Sequence, residues 1–200
     1  MASTVSDNVK QEPGEKSLVD YIQKDLPQHL DWWPYTLGAL PLTLFGLLVG
    51  TGLLLTFYYV PSPERAYESV DQITNEIYLG WFVRGLHKTS VDLMILFLFF
   101  HVIRVFITRA YRTPGELKWV SGSIVLFVTL AMGFTGYSLI FDNVSYWGMT
   151  VVTNMIGTLP VIGTPLLHLL RGGEEVSGVT LLRLYDLHTK LLPALLGGLV

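Results

Sequence analysis

Long apolar runs leave this chain few folds to choose from. The most extreme covers about residues 78–108 and includes "GWFVRGLHKTSVDLMILFLFFHVIRVF". It exceeds the roughly 20 residues that span a bilayer's hydrocarbon. In lipid the backbone has no water to bond, so such a segment must satisfy its own N–H and C=O groups as a helix. Further runs cover about residues 35–59 and 120–139, and a fourth starts near Leu182 and is still apolar at Val200. Charged residues make up 14% of the chain, against about 25% in soluble domains. These features predict an all-α membrane protein built as a four-transmembrane-helix bundle.

The remaining segments fit around that bundle. Residues 1–17 read as a polar N-terminal tail. Residues 18–34, "LVDYIQKDLPQHLDWWP", suit an interfacial amphipathic helix with tryptophans at headgroup level. Residues 35–200 form the bundle domain, its fourth helix read as incomplete at Val200. The polar stretch 61–76 is expected to be a loop, and Pro114 marks a break in the turn "RAYRTPGELKW". Residues 140–180, rich in Gly, Thr, Pro and Asn, are expected to be a long connection containing short helices. The second turn carries Arg104, Arg109, Arg112 and Lys118 against Glu116, whereas 61–76 carries Glu64, Glu68, Asp71 and Glu76 against Arg65. Positive-inside logic therefore puts the basic turn 109–118 on the cytoplasmic side, as in a bacterial inner membrane or another energy-transducing membrane.

Composition also excludes functions. A net charge of −3 and no basic stripe give no case for a nucleic-acid partner. Without cysteine, the chain itself has no disulfide, thiolate nucleophile, thiolate-held iron–sulfur cluster or thioether-attached haem.

Two histidines stand inside the second run, His87 and His101, fourteen residues apart. Fourteen residues are almost four helical turns, so both point the same way, ~21 Å apart along the axis. Imidazole ligates haem iron and tolerates an apolar setting when its second nitrogen is satisfied. A third histidine, His188, opens the fourth run. If that span runs antiparallel to the second, His188 falls at the level of His87. A lone transmembrane histidine is often a helix–helix hydrogen-bonding residue; three at matching depths favour metal ligation.

The same interval recurs in the spans that lack histidine. Gly38 and Gly52 are fourteen apart in the first, as are Gly122 and Gly136 in the third. Without a Cβ, each lets a large flat ligand approach the backbone. Small residues also serve helix packing, which does not account for the repeated interval. Arg84 precedes His87 by one turn and Arg104 follows His101 by one turn, where carboxylate groups of a cofactor would find charge-assisted partners. Arg183 and Lys88 could serve the outer site.

With "TFYYVPSPERAYESV", "GWFVRGLH", "HVIRVF", "PGELKWVSG", "GFTGYSL", "SYWGMTVVTN", "LPVIG", "LLRGG" and "LLRLYDLHT", the chain resembles cytochrome b of quinol-oxidising cytochrome bc-type complexes. It is most similar to the short four-helix form of plastoquinol–plastocyanin oxidoreductases. The resemblance implies two non-covalent b-type haems. His87 and His188 would ligate the outer haem and His101 the inner one. Gly52 and Gly136 would line the outer haem, Gly38 and Gly122 the inner. Propionate contacts fall to Arg84 outside and to Arg104 and Trp119 inside. A quinol pocket would lie along residues 142–163, with Tyr137, Tyr146 and Trp147.

The resemblance further implies an electron-transfer subunit of a quinol:cytochrome c or plastocyanin oxidoreductase that couples electron transfer to proton translocation. Quinol would give one electron to a Rieske-type iron–sulfur protein and the other, through the outer and inner haems, to a quinone on the inner side. Expected partners are that protein, a c-type cytochrome and a separate subunit supplying the C-terminal part of cytochrome b, in a dimeric complex. An alternative is a dihaem b membrane anchor serving a dehydrogenase or hydrogenase. Where the photosynthetic form carries the cysteine of a covalent third haem, this chain has Thr36, so none is expected. The second inner ligand is expected fourteen or fifteen residues after His188, beyond Val200. Ile140-Phe141 replaces the family's Pro-Trp. Asp92, Asp186 and Lys190 are atypical too, and Asp186 or Lys190 is expected to manage protons or a neighbouring subunit, or to snorkel.

Overall fold

A computed structural model describes residues 33–113 and 115–200. The tail and surface helix expected over 1–34 lie outside the described residues, except for Trp33 and Pro34, which open the 3-10 turn Trp33–Gly38. From there the described chain is helical, with no strand among the described residues. The helices are α1 (Ala39–Thr56), α2 (Ala66–Asn75), α3 (Gly80–Ile107), α4 (Glu116–Ser138), α5 (Asn143–Gly157), α6 (Gly163–Arg171), α7 (Gly178–Asp186) and α8 (Leu192–Leu199). A single π turn, Leu187–Leu191, joins α7 to α8, so those three pieces make the fourth apolar stretch.

Among the described residues, three helices are long and apolar enough to cross a membrane: Thr36–Thr56, Gly80–Ile107 and Glu116–Ser138, with mean hydropathies of 1.9, 2.1 and 1.7. They are apolar all round, and large side chains such as Leu53, Phe106 and Phe127 stay exposed on the outer faces, as expected of helices whose solvent is lipid. α3 packs along α1, and α4 along α8. The buried centre takes one side chain from each span: Leu48, Met94, Val128 and Leu196. Met94 is seven residues from both His87 and His101, so this packed layer separates the two histidine levels. Lipid tails are as apolar as leucine, so the layer contributes through close packing rather than through removal from water.

Two expectations are corrected. The polar stretch 61–76 is not a plain loop, because α2 occupies Ala66–Asn75. Its buried face, Ala66, Ser69 and Ile73, follows helical spacing beneath a charged outer face. α2 then meets the start of α3 closely: a methyl on Gly80 would lie 1.9 Å from the Ile73 carbonyl oxygen. The fourth stretch runs parallel to α3, not antiparallel. Its first part carries His188 beside His87, and its end, Leu199 and Val200, lines a cavity with His101. Spans that alternate direction put the second and the fourth in the same sense, so the level match holds by that route.

The connection at 140–180 holds α5 and α6 as an αα-hairpin. Asp142 caps α5, its carboxylate accepting from the Ser145 N–H at 2.7 Å. Arg171, 4% exposed, binds the hairpin from within. Its guanidinium donates to Thr153 Oγ1 at 2.7 Å, and to the Thr150 carbonyl and Asn154 Oδ1 at 2.9 Å each. It also donates to the Glu174 carbonyl at 2.7 Å. Such a burial is tolerated because the planar fork finds an acceptor in each direction.

Candidate functional site

The outer site is built from α1, α3, α4 and the π turn of the fourth stretch. His87 lies in the second turn of α3 and His188 in the π turn of the fourth stretch, and their ring centroids are 6.4 Å apart with planes at 73°. An imidazole nitrogen bonds a metal at about 2 Å, so two bonds and two ring radii fill roughly this distance. Behind each ring stands a glycine. A methyl on Gly52 would lie 3.3 Å from His87 Cε1, and one on Gly136 would lie 2.6 Å from His188 Cε1. Gly136 is therefore obligatory with His188 where it is.

Hydrogen bonds decide which nitrogen each ring presents. His188 Nδ1 is 3.1 Å from the Met132 carbonyl oxygen, which can only accept, so Nδ1 carries the proton. Thr135 Oγ1 lies 3.3 Å from the same nitrogen. His87 Nδ1 is 2.9 Å from Thr51 Oγ1, whose own proton goes to the Leu47 carbonyl at 2.8 Å. His87 Nδ1–H is again the donor. In both rings Nε2 is left as the lone-pair nitrogen, the state a metal ligand needs. Among the described residues no group of three or more His, Cys, Asp or Glu could hold a metal ion. Two facing imidazoles fit a metal that brings its own equatorial nitrogens, as in a porphyrin.

The inner site is a cavity of about 540 Å³ whose lining includes Gly38, His101, Arg104, Trp119 and Gly122. That is the size of a cofactor pocket. His101 rests on Gly38, where a methyl would lie 3.1 Å from its Cε1. Its Nδ1 is buried and has no hydrogen-bond partner among the described residues. A methyl on Gly122 would have no protein atom within 4 Å, so this backbone borders open space. Trp119 packs against Tyr111 with centroids 5.7 Å apart, at the same end as Arg104.

Other expected residues are placed less directly. Arg84 donates to Thr74 Oγ1 of α2 at 3.2 Å, at the outer end of α3. Arg183 donates to the His168 carbonyl at 2.9 Å and also to the Leu169 carbonyl. It thus serves the C-terminus of α6, and the structure does not bring it to the histidine pair. Tyr146 and Trp147, in the first turn of α5, meet edge to face at 5.5 Å, and Phe141 approaches Tyr146 at 6.0 Å. Tyr137 stands outside this ring cluster in the last turn of α4, half exposed. The atypical charges pair along their own helices, Lys88 with Asp92 at 3.0 Å and Lys190 with Asp186 at 2.6 Å.

Sequence reasoning missed Thr51 and Thr135. A signal was there: each immediately precedes the outer glycine of its span, Thr51-Gly52 and Thr135-Gly136. On a helix that offset puts hydroxyl and bare backbone beside the same imidazole.

Comparison with known proteins points to one family. A family model described as "Cytochrome b/b6/petB" matches residues 21–200. The chain is 42% identical over 174 residues to a cytochrome b6 from Synechococcus elongatus, covering 87% of this chain and 80% of that protein. It is 41% identical over 177 residues to another Synechococcus elongatus cytochrome b6, with coverages of 88% and 82%. Among solved structures it resembles a chain of a hyperthermophilic respiratory complex III, with a TM-score of 0.77 and 30% identity. The match covers 88% of this chain and 46% of that one, so the chain spans less than half the length of that structural relative. The chain belongs to the cytochrome b/b6 family: integral membrane, b-type-haem-binding electron-transfer subunits of quinol oxidoreductase complexes.

Proposed function

We propose that the chain holds two b-type haems, at an outer and an inner level, within a quinol:cytochrome c or plastocyanin oxidoreductase. Bound haem would supply reversible one-electron chemistry at each level. His87 and His188 would hold the outer haem iron, and His101 would supply one imidazole to the inner one. Thr51 and the Met132 carbonyl fix the outer tautomers. Gly52 and Gly136 make room for the outer rings, while Gly38 backs His101 and Gly122 keeps the inner cavity open. Arg84 receives outer propionate charge, and Arg104 with Trp119 receives it inside. The apolar layer between the levels excludes water from the path.

Quinol would be oxidised on the outer side at a pocket to which Tyr146, Trp147 and the more distant Tyr137 would contribute, and quinone reduced on the inner side, where the basic turn 109–118 would face the cytoplasm. A Rieske-type iron–sulfur protein, a c-type cytochrome and a subunit carrying the C-terminal part of cytochrome b complete a dimeric complex. The observation that carries this reading is the facing imidazole pair with both Nδ1 atoms already committed. A reduced-minus-oxidised spectrum of the purified complex tests it. Two resolvable b-type α-bands are expected, one of which is lost in His188→Ala; a single band unaffected by that substitution would refute it. Identifying the co-purifying subunits then tests the partners.

A further inference from the structure

The fourth apolar stretch leaves the α-helical pattern at His188. Leu192 N–H bonds the Leu187 carbonyl five residues back, so Leu187–Leu191 is a π turn between two α-helices. Pro193 explains why regular bonding fails here, since it has no N–H and its ring collides with the carbonyl of Thr189, four residues earlier. Thr189 adds to this by donating its hydroxyl to the Tyr185 carbonyl at 2.7 Å. A π turn adds one residue to the turn, which rotates everything after it by about 100° relative to an uninterrupted α-helix. Single π turns also recur at functional sites.

One ion pair bridges this turn. Lys190 Nζ lies 2.6 Å from Asp186 Oδ1, and the two side chains are 71% and 49% exposed. They flank His188 by two residues on either side and project outward, whereas its imidazole reaches inward to Met132 and Gly136. Counting from Gly178, the first residue of α7, the pair sits ~12–18 Å along the stretch. Where lipid rather than water covers that face, acid and base hold each other more tightly than on a wet surface.

We propose that the Asp186–Lys190 pair is a positioning device for His188: it clamps the π turn from outside and so fixes the direction in which the imidazole enters the outer site. This rests on the reading of His188 as an axial ligand. Asp186 and Lys190 are positioning residues, acting only through the backbone of that turn.

The test uses the assembled complex and the variants Asp186→Asn, Lys190→Met and the exchanged double variant D186K/K190D. The readouts are the low-spin electron paramagnetic resonance signature of the outer haem, which reports the mutual orientation of its two imidazoles, and its midpoint potential. The inner haem is the internal control. Both single variants are expected to change the outer signature in the same sense and leave the inner one unchanged, and the exchanged pair is expected to restore it. An unchanged signature, with potentials displaced in opposite directions by the two singles, would show a mere field effect and overturn the proposal. An unchanged signature with loss of companion subunits would identify a partner contact and overturn it equally. Should the neutral variants fail to assemble, Asp186→Glu and Lys190→Arg keep the charges but alter the reach. A smaller change of the same signature supports the clamp, and no change overturns it. The underlying reading fails separately: His188→Ala retaining both b-type signals would remove His188 from the axial role whatever the ion pair does.

Discussion

Thr51 and the Met132 carbonyl do the same task for different rings, yet they respond differently to substitution. Thr51→Val removes the acceptor of His87 Nδ1–H and strands a half-buried donor at a cost of about 1–3 kcal/mol. Partners of ligating histidines typically contribute about 10–100-fold in metal affinity. Haem retained per chain through a detergent wash should fall accordingly at the outer site, and Thr51→Ser should restore it. Thr135→Val should do much less, because His188 keeps the Met132 carbonyl. The glycines allow a second contrast. Gly136→Ala forces a methyl to 2.6 Å from His188 and should abolish the outer site. Gly122→Ala meets no protein atom within 4 Å, so the chain should insert and fold normally while inner haem occupancy drops. A Gly122→Ala chain with full inner occupancy would show that the porphyrin does not reach this wall. The histidine–glycine match was legible because a fourteen-residue interval is a geometric signature. The threonines were not, since helical threonines ordinarily back-bond to a carbonyl four residues earlier, as Thr51 does to Leu47, and look inert in a string of letters.

At the level of elements, α5 carries the Tyr146–Trp147 ring pair, and its first turn depends on one carboxylate. The Ser145 N–H holds the Asp142 carboxyl below the usual carboxylate range. A carboxyl whose folded pKa is depressed contributes stability that is present above its unfolded value, about 3.9, and is lost as pH falls through the folded value. The start of α5 should therefore loosen only in acid, with amide exchange at residues 143–147 accelerating below about pH 4. Asp142→Asn keeps a side-chain acceptor and should flatten that pH dependence. Asp142→Ala should cost about 0.5–2 kcal/mol at neutral pH and progressively less in acid, where the wild type loses the same contribution. Elements were legible where apolar length alone decides, as in the three long spans. α2 was missed because Glu64, Glu68, Asp71 and Glu76 dominate the segment, although Ala66, Ser69 and Ile73 carry a helical stripe beneath them. The π turn is harder to read, because Pro193 marks a break without saying whether the turn tightens or widens.

Across the whole molecule, α3 carries a histidine at each level, the fourth stretch carries His188 beside His87, and the layer of Leu48, Met94, Val128 and Leu196 lies between the levels. That the chain lives in a membrane followed from hydropathy. The sense of the fourth span did not, since it depends on counting crossings rather than on any local residue. Because α3 and the fourth stretch run the same way, His188 lies beside His87 while Leu199 and Val200 lie with His101. The sites should then fail independently. His101→Ala removes an imidazole from the inner cavity but leaves His87, His188, Thr51 and Gly136 in contact as they are. His188→Ala does the reverse. In difference spectra, each substitution should delete one b-type component and leave the other's band position unmoved. Were either substitution to erase both components while the four spans still insert, the packed layer would not be an independent support. The two levels would then form a single cooperative unit, with ligation at one completing the fold of the other.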